Sequence, residues 1–274
     1  MSHPSARQEN AFTLFKALHH AETPLVLPNA WDHASAAVFA AAGFPAVGTT
    51  SLGVAASAGV PDARAAALAE TLALAGRLAA LPCPVTVDLE AGYGGPEETA
   101  ALAARLAALG IAGVNLEDGR HDGTLSATSV LRATIRAVKE RVPGLFVNAR
   151  TDAFWVRAPH PLETALARTD AYAEAGADGV FVPAMTEADD IAAVVAAVDV
   201  PLNVLFTPGR HTVAGLAALG VRRISMGSLP FRAALAAALG TAEAVRDGTG
   251  VPEGIPGYGE VDALATSRTA APGT

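Results

Sequence analysis

Short β-branched runs and Ala/Leu/Arg/Glu-rich segments alternate along this chain almost from end to end. Candidate strands fall at 25–28, 46–50, 85–89, 113–116, 145–149, 179–182, 202–205 and 223–225. Helical stretches lie between them near 32–42, 62–80, 97–109, 126–141, 162–175, 186–198 and 212–219, with a last one from Phe231. Four helices run into Gly just before the next strand, at Gly43, Gly110, Gly176 and Gly220. Glycine there caps the helix in the left-handed conformation and turns the chain back toward the sheet. Strands separated by helices of this length need parallel crossovers. Eight such units predict an α/β fold of one closed (β/α)8 TIM barrel over residues 1–240, with an extra amphipathic N-terminal helix at 8–20. A doubly wound open sheet would want a glycine-rich turn after its first strand, where this chain reads Pro28-Asn29-Ala30-Trp31-Asp32. Residues 241–274, rich in Gly and Pro, lack clear periodicity and are expected to be a surface extension.

Composition narrows the partners. At 274 residues with 51% hydrophobic and 17% charged side chains, the chain has ample material for a core. Net charge is −8 and no Lys/Arg run is present, which argues against nucleic acid and against an anionic membrane surface. The single Cys83 forms no intramolecular disulfide and no thiolate cage. With no apolar leader visible near the N-terminus, a cytoplasmic location is the expectation.

Barrel enzymes place their chemistry at the C-terminal ends of the strands. The polar residues there are Asn29 and Asp32, then Thr49, Thr50 and Ser51, then Asp88 and Glu90 followed by Gly92-Tyr93-Gly94. Asn115, Glu117 and Asp118 follow, then Asn148, Arg150 and Asp152, Asn203, and finally Ser225 and Ser228. Asp88, Glu90 and Glu117 on neighbouring strands make a hard oxygen-donor set, which suits Mg2+, or Mn2+, better than zinc. Each acid alone could equally cap the helix that follows it, and Pro61-Asp62 reads as a helix start. Arg150 offers a bidentate fork for a carboxylate or phosphonate, or a salt bridge to Asp152. Thr50 and Ser51 could cradle an anion with their amides. Tyr93 could bond substrate or pack.

The segments Asn29-Ala30-Trp31-Asp32, Thr49-Thr50-Ser51, Asp88-Leu89-Glu90-Ala91-Gly92-Tyr93-Gly94, Asn115-Leu116-Glu117-Asp118 and Asn148-Ala149-Arg150-Thr151-Asp152 stand in this order at successive strands. Together they resemble the isocitrate lyase/phosphoenolpyruvate mutase superfamily, over roughly residues 10–240. The resemblance implies a TIM barrel, Mg2+, a small carboxylate substrate and a homodimer or homotetramer that exchanges its last helix. By motif it makes Asp88, Glu90 and Glu117 metal-site acids, Asp62 a further site acid and Arg150 the substrate arginine. It also makes Thr50, Ser51 and Leu52 the carboxylate loop.

The chain departs from the pattern of the C–C lyases, whose loop after the fourth strand carries Lys-x-Cys-Gly, and from the Lys- and Asn-containing loop of the mutases. It reads Gly119-Arg120-His121-Asp122-Gly123-Thr124-Leu125-Ser126, and Cys83 precedes the third strand at its wrong end. His121 is then the candidate acid–base group, on a loop expected to be a mobile lid. The leading expectation is an Mg2+-dependent lyase that cleaves a C–C bond in a small 2-oxo or 2-hydroxy (di)carboxylic acid through an enolate, with Asn29, Tyr93 and Asn203 as further substrate contacts. The alternatives are P–C chemistry on a phosphonate and a non-catalytic, metal-dependent carboxylate binder.

Overall fold

A computed structural model describes residues 6–266 of the chain. Nine parallel strands form one sheet: β1 (Leu25–Leu27), β2 (Asn29–Ala30), β3 (Val47–Thr49), β4 (Val85–Asp88), β5 (Gly113–Glu117), β6 (Phe146–Arg150), β7 (Gly179–Val182), β8 (Leu202–Leu205) and β9 (Arg223–Ser225). The order is β1-β9-β8-β7-β6-β5-β4-β3-β2. β1 and β2 are two halves of one barrel strand interrupted at Pro28, which has no N–H to give to a ladder. The lower half pairs with β9 and the upper half with β3, and this closes the barrel. The eight-strand expectation therefore holds.

Helices α1 (Ala6–His19), α2 (His33–Ala41), α3 (Ser51–Ala58), α4 (Leu68–Leu78), α5 (Pro96–Leu109), α6 (Thr128–Arg141), α7 (Pro161–Glu174), α8 (Ala188–Ala197), α9 (Val213–Ala218), α10 (Leu229–Asp247) and α11 (Tyr258–Thr266) complete the described chain. Gly43, Gly110, Gly176 and Gly220 all take positive φ, between 86° and 101°, as their helix-ending role requires. The apolar core lies between strands and helices, with Val87, Val114, Leu116, Val147 and Ala149 fully buried. Helix α1 closes the base of the barrel through Phe15, which meets Phe146 edge-on with ring centroids 5.4 Å apart. Among the described residues no helix is long and apolar enough to cross a membrane.

Two expectations need correction. Residues 241–266 are not irregular throughout: α10 continues to Asp247 and α11 packs against α2, with only 248–257 irregular between them. Alanine carries both helices, so their periodicity is faint in the sequence. Nor does a helix begin at Asp62. Residues 62–67 form turns in which Ala63 and Ala65 are left-handed (φ 56° and 51°), and α4 starts at Leu68.

Candidate active site

The inward-facing side chains of β5 and β6 set the geometry at the barrel mouth. Parallel register places Asn115 beside Asn148 and, one step higher, Glu117 beside Arg150. At the lower level Asn148 Nδ2 donates to Asn115 Oδ1 at 3.0 Å. At the upper level Arg150 Nη1 meets Glu117 Oε2 at 2.7 Å. Its Nε and Nη2 donate to the two oxygens of Asp152 at 2.6 and 3.0 Å. A guanidinium has five N–H donors, so one on each Nη remains for a ligand.

Asp152 is held in turn. Its backbone N–H donates to Asp118 Oδ1 at 2.9 Å, and the fully buried Asp118 also accepts from Tyr172 at 2.7 Å and Arg168 at 2.8 Å. Tyr172 and Arg168 lie one turn apart on α7, so the arginine at the mouth is braced by a helix on the barrel's outside. Asp118 is thus a positioning group with three donors, and it caps no helix.

Asp88 ends β4 with Oδ1 buried and without a partner; its amide donates to Thr49 Oγ1 at 2.9 Å. Asp62 Oδ1 is buried and unpartnered as well. Burial pushes the Asp88 carboxyl upward, with Arg150 opposing and the Asp62 charge adding to the rise. The turns at 62–67 lay Asp62 and Ala65 over the site: Ala65 N donates to Glu90 Oε2 at 3.1 Å, and Tyr93 OH donates to Glu90 Oε1 at 3.1 Å. Glu90 is itself left-handed (φ 52°), a conformation that a non-glycine residue holds only when its surroundings fix it. Burial moves the Glu117 carboxyl up to about 8, with Arg150 opposing and Asp152, Asp88 and Glu90 adding. The mouth therefore gathers more buried carboxyl groups than its one arginine can hold ionised. Such a surplus, with two orphaned carboxylate oxygens, fits a divalent cation. Asp62 and Asp88 each have an unpartnered oxygen to offer one, whereas both oxygens of Glu90 accept hydrogen bonds and Glu117 Oε2 is engaged by Arg150. Among the described residues no three His, Cys, Asp or Glu side chains form a ready-made coordination cage, so contacts through water would complete the set.

Helix α3 starts at Ser51, with Thr50 before it in extended conformation. The leading amides at Ser51 and Leu52 have no intrahelical acceptor, but the Thr50 amide expected to join them is spent on Ala30 O at 3.0 Å. The Ser51 side chain stands near Asp88 and opposes the upward push on its carboxyl.

Asn29 is turned to the backbone, and Asn203 lies below the mouth with its Oδ1 unpartnered. Asn29 spends its side chain on the backbone, donating to Thr49 O and accepting from Met226 N and Gly227 N at 2.9–3.0 Å. Asn203 is 1% exposed below the mouth and donates to Ser225 Oγ at 3.0 Å. His121 stands exposed on an ordered hairpin, not among the acids. Arg120 N donates to Thr124 O and Ser126 N to Asp118 O, at 2.9 and 2.8 Å. A Cβ at Gly119 would collide with the Asp152 carboxylate, so glycine at the hairpin's root lets it sit close against the site. Arg223, fully buried inside the barrel, was not foreseen from the sequence. It donates to Ser225 Oγ at 3.1 Å and Asn115 Oδ1 at 3.2 Å.

Comparison with known proteins agrees with this geometry. The chain is 44% identical to an uncharacterized protein of Mycobacterium tuberculosis over 249 residues, covering 91% of this chain and 95% of the other. It is 33% identical to the 2-methylisocitrate lyase of Bacillus subtilis over 204 residues, 71% of this chain and 67% of that one. The structure of oxaloacetate acetylhydrolase in complex with its product oxalate superposes with a TM-score of 0.82 at 26% identity, covering 94% of this chain and 95% of that one. The family model for phosphoenolpyruvate phosphomutase matches residues 15–246. The chain thus belongs to the phosphoenolpyruvate mutase/isocitrate lyase superfamily, a group of lyases and mutases.

Proposed function

We propose that this chain is a Mg2+-dependent carbon–carbon lyase that acts on a small 2-oxo or 2-hydroxy carboxylic acid through an enolate. One observation carries the reading: the orphaned carboxylate oxygens of Asp62 and Asp88 share a mouth with an arginine that has two N–H groups to spare. Asp88, with Asp62, Glu90 and Glu117 in support, would hold Mg2+ or Mn2+, and such an ion when bound stabilises negative charge on an enolate oxygen. The spare N–H groups of Arg150 and the leading amides of α3 take the substrate carboxylate. Because Arg150 is fixed from below by Asp152 and Asp118, binding is converted into orientation. His121 is the proposed acid–base group; it would reach the site by a downward movement of the hairpin, which also excludes water.

The uncovered face of α10 supports a homodimer or homotetramer. Only Phe231 of this helix is buried, while Leu235 and Leu239, one turn apart, are 55% and 61% exposed. Sedimentation equilibrium tests it, and a monomer at micromolar concentration would contradict it. For the reaction itself, purified protein is incubated with Mg2+ or EDTA and a panel of 2-oxo and 2-hydroxy acids. Mg2+-dependent release of a 2-oxo acid product supports the lyase. Inorganic phosphate from phosphonopyruvate would make it a P–C enzyme, and binding without turnover a carboxylate-binding protein.

A further inference from the structure

Helix α7 lies outside the barrel, yet one of its side chains touches both ends of the hairpin at the mouth. Arg168 Nη1 donates to Asp118 Oδ2 at 2.8 Å, at the residue that enters the hairpin. Its Nη2 donates to Ser126 O at 3.0 Å, at the residue that leaves it. Between these ends the stem is closed by Ser126 N on Asp118 O at 2.8 Å and by an antiparallel bridge of Gly119 with Leu125. The tip holds itself, since Asp122 Oδ1 accepts from Thr124 N and Thr124 Oγ1 at 3.0 and 2.6 Å. Among the described residues, Arg168 is the one side chain outside the hairpin that hydrogen-bonds residues 119–126. Toward α6 the hairpin borders a cavity of about 380 Å³, with Gly119, Arg120 and Ser126 on one wall and Val130, Leu131 and Thr134 on the other. A self-closed arm with open space on one flank moves as a unit about its anchor.

The same anchor reaches the arginine of the site. Asp118 Oδ1 takes the Asp152 N–H at 2.9 Å, Asp118 N donates to Arg150 O at 3.2 Å, and Asp152 grips the Arg150 fork. From the other side the hairpin's root rests on that grip: a Cβ on Gly119 would meet Asp152 Oδ2, the oxygen that accepts from Arg150 Nη2. The contacts therefore close a ring through Asp152, Asp118, Arg168, Ser126 and Gly119. Turning Arg150 toward a ligand moves Asp152 against Gly119. Lifting the hairpin draws Ser126 away from Arg168, which is the counter-charge of the fully buried Asp118. Neither part shifts alone.

We propose that Arg168 is a positioning residue that couples the hairpin to Arg150, so that His121 is brought down only over an arginine that already holds a carboxylate. The inference rests on the carboxylate site and the moving hairpin proposed above. It sets an order of events: the carboxylate binds first, and the acid–base group and the exclusion of water follow. Coupling of this kind is reciprocal, so whatever loosens the hairpin also weakens the carboxylate.

Trypsin reads the hairpin directly, because Arg120 stands exposed on it. Cleavage after Arg120 is followed by mass spectrometry in Mg2+, with and without saturating oxalate, beside calorimetric titration of oxalate. In the parent chain oxalate should slow this cleavage at least about tenfold. Arg168→Lys keeps a positive charge beside Asp118 but has no fork to span to Ser126. It should weaken oxalate about fivefold or more, and saturating oxalate should then slow cleavage less than about twofold. Tyr172→Phe removes another donor to Asp118 and leaves the tie to Ser126, so it should weaken oxalate yet keep the slowing at saturation. Gly119→Ala presses the hairpin's root off Asp152 and reads the coupling independently of Arg168; it should weaken oxalate at least about fivefold. The inference is overturned by slowing retained in Arg168→Lys, by slowing lost equally in Tyr172→Phe, or by oxalate affinity untouched in Gly119→Ala. No slowing in a parent chain that binds oxalate overturns it as well. A parent chain that does not bind oxalate at all overturns instead the carboxylate site beneath it.

Discussion

Two arginines lie inside this barrel, one layer apart, and they live in opposite surroundings. Arg150 at the mouth faces Glu117, Asp152 and Asp88; burial works against its charge, but the three carboxylates outweigh it and hold its protonation above the ordinary arginine range. Arg223 below is fully buried among neutral partners, Ser225 and Asn115, with Nη1 unpartnered. Burial brings its pKa down to about 9, and Asp88 offsets only part of that. The upper layer is thus a network of full charges whose members need one another. The lower layer is a set of dipoles around one charge, close enough to Asp88 to lend it some compensation. A mouth built for an anionic substrate and a cation needs the first kind of layer, and the second fixes it without adding acid.

The sharpest way to break this contrast is to remove each arginine in turn. Arg150→Met leaves Glu117 and Asp152 buried without their counter-charge, which should cost about 3–5 kcal/mol of stability and abolish measurable turnover. Arg150→Lys keeps a point charge but not the fork onto Asp152, so it should retain most of the stability and still lose about a hundredfold or more in kcat/KM. Denaturant unfolding and steady-state kinetics read both. Arg223→Met should cost less, about 1–3 kcal/mol, since Asn115 keeps Asn148 and Ser225 keeps Asn203 as partners. Equal losses for the two methionine variants would erase the distinction between the layers.

A smaller effect is expected at the base. His19 is 1% exposed, stacks on Phe146 at 4.1 Å and bonds Phe15 O through Nδ1. Burial, with Arg223 adding, lowers its pKa from 6.5 to about 3. The unfolded chain therefore takes up a proton that the folded one refuses. The His19 contribution to stability is complete above about pH 6.5 and is lost as pH falls from there toward 3, by up to about 1.4 kcal/mol per pH unit. In His19→Phe the decline of the melting temperature between pH 6.5 and 5 should be shallower than in the parent. Parallel curves would show that the ring is accessible to protons in the folded state.

The barrel was legible in the sequence because each unit carries local signals: a β-branched run, an alanine-rich helix and a glycine at its end. Asp88, Glu90, Glu117 and Arg150 were legible because strand ends point into the mouth. Asn29 and Asn203 also stand on barrel strands, but whether an amide faces ligand or backbone depends on partners about 20 to 200 residues away, such as Met226 and Ser225. Asp62 resembled a helix cap because Pro-Asp often is one, and only the left-handed turns around Ala63 and Ala65 carry it to the site. Asp118 gave no sign of its brace, whose donors lie on α7. Arg223 gave none either, since a charged residue in a strand reads as surface until the barrel is closed.

The chemistry of this barrel turns on whether the acidic mouth takes a carboxylate together with a divalent cation. Calorimetric titration of oxalate, with and without Mg2+, into the parent chain and into Asp88→Asn asks this without requiring the natural substrate. Oxalate should bind only when Mg2+ is present, and Asp88→Asn should weaken this binding at least about tenfold while remaining folded. Oxalate affinity that is the same with EDTA as with Mg2+, or untouched by Asp88→Asn, would contradict it.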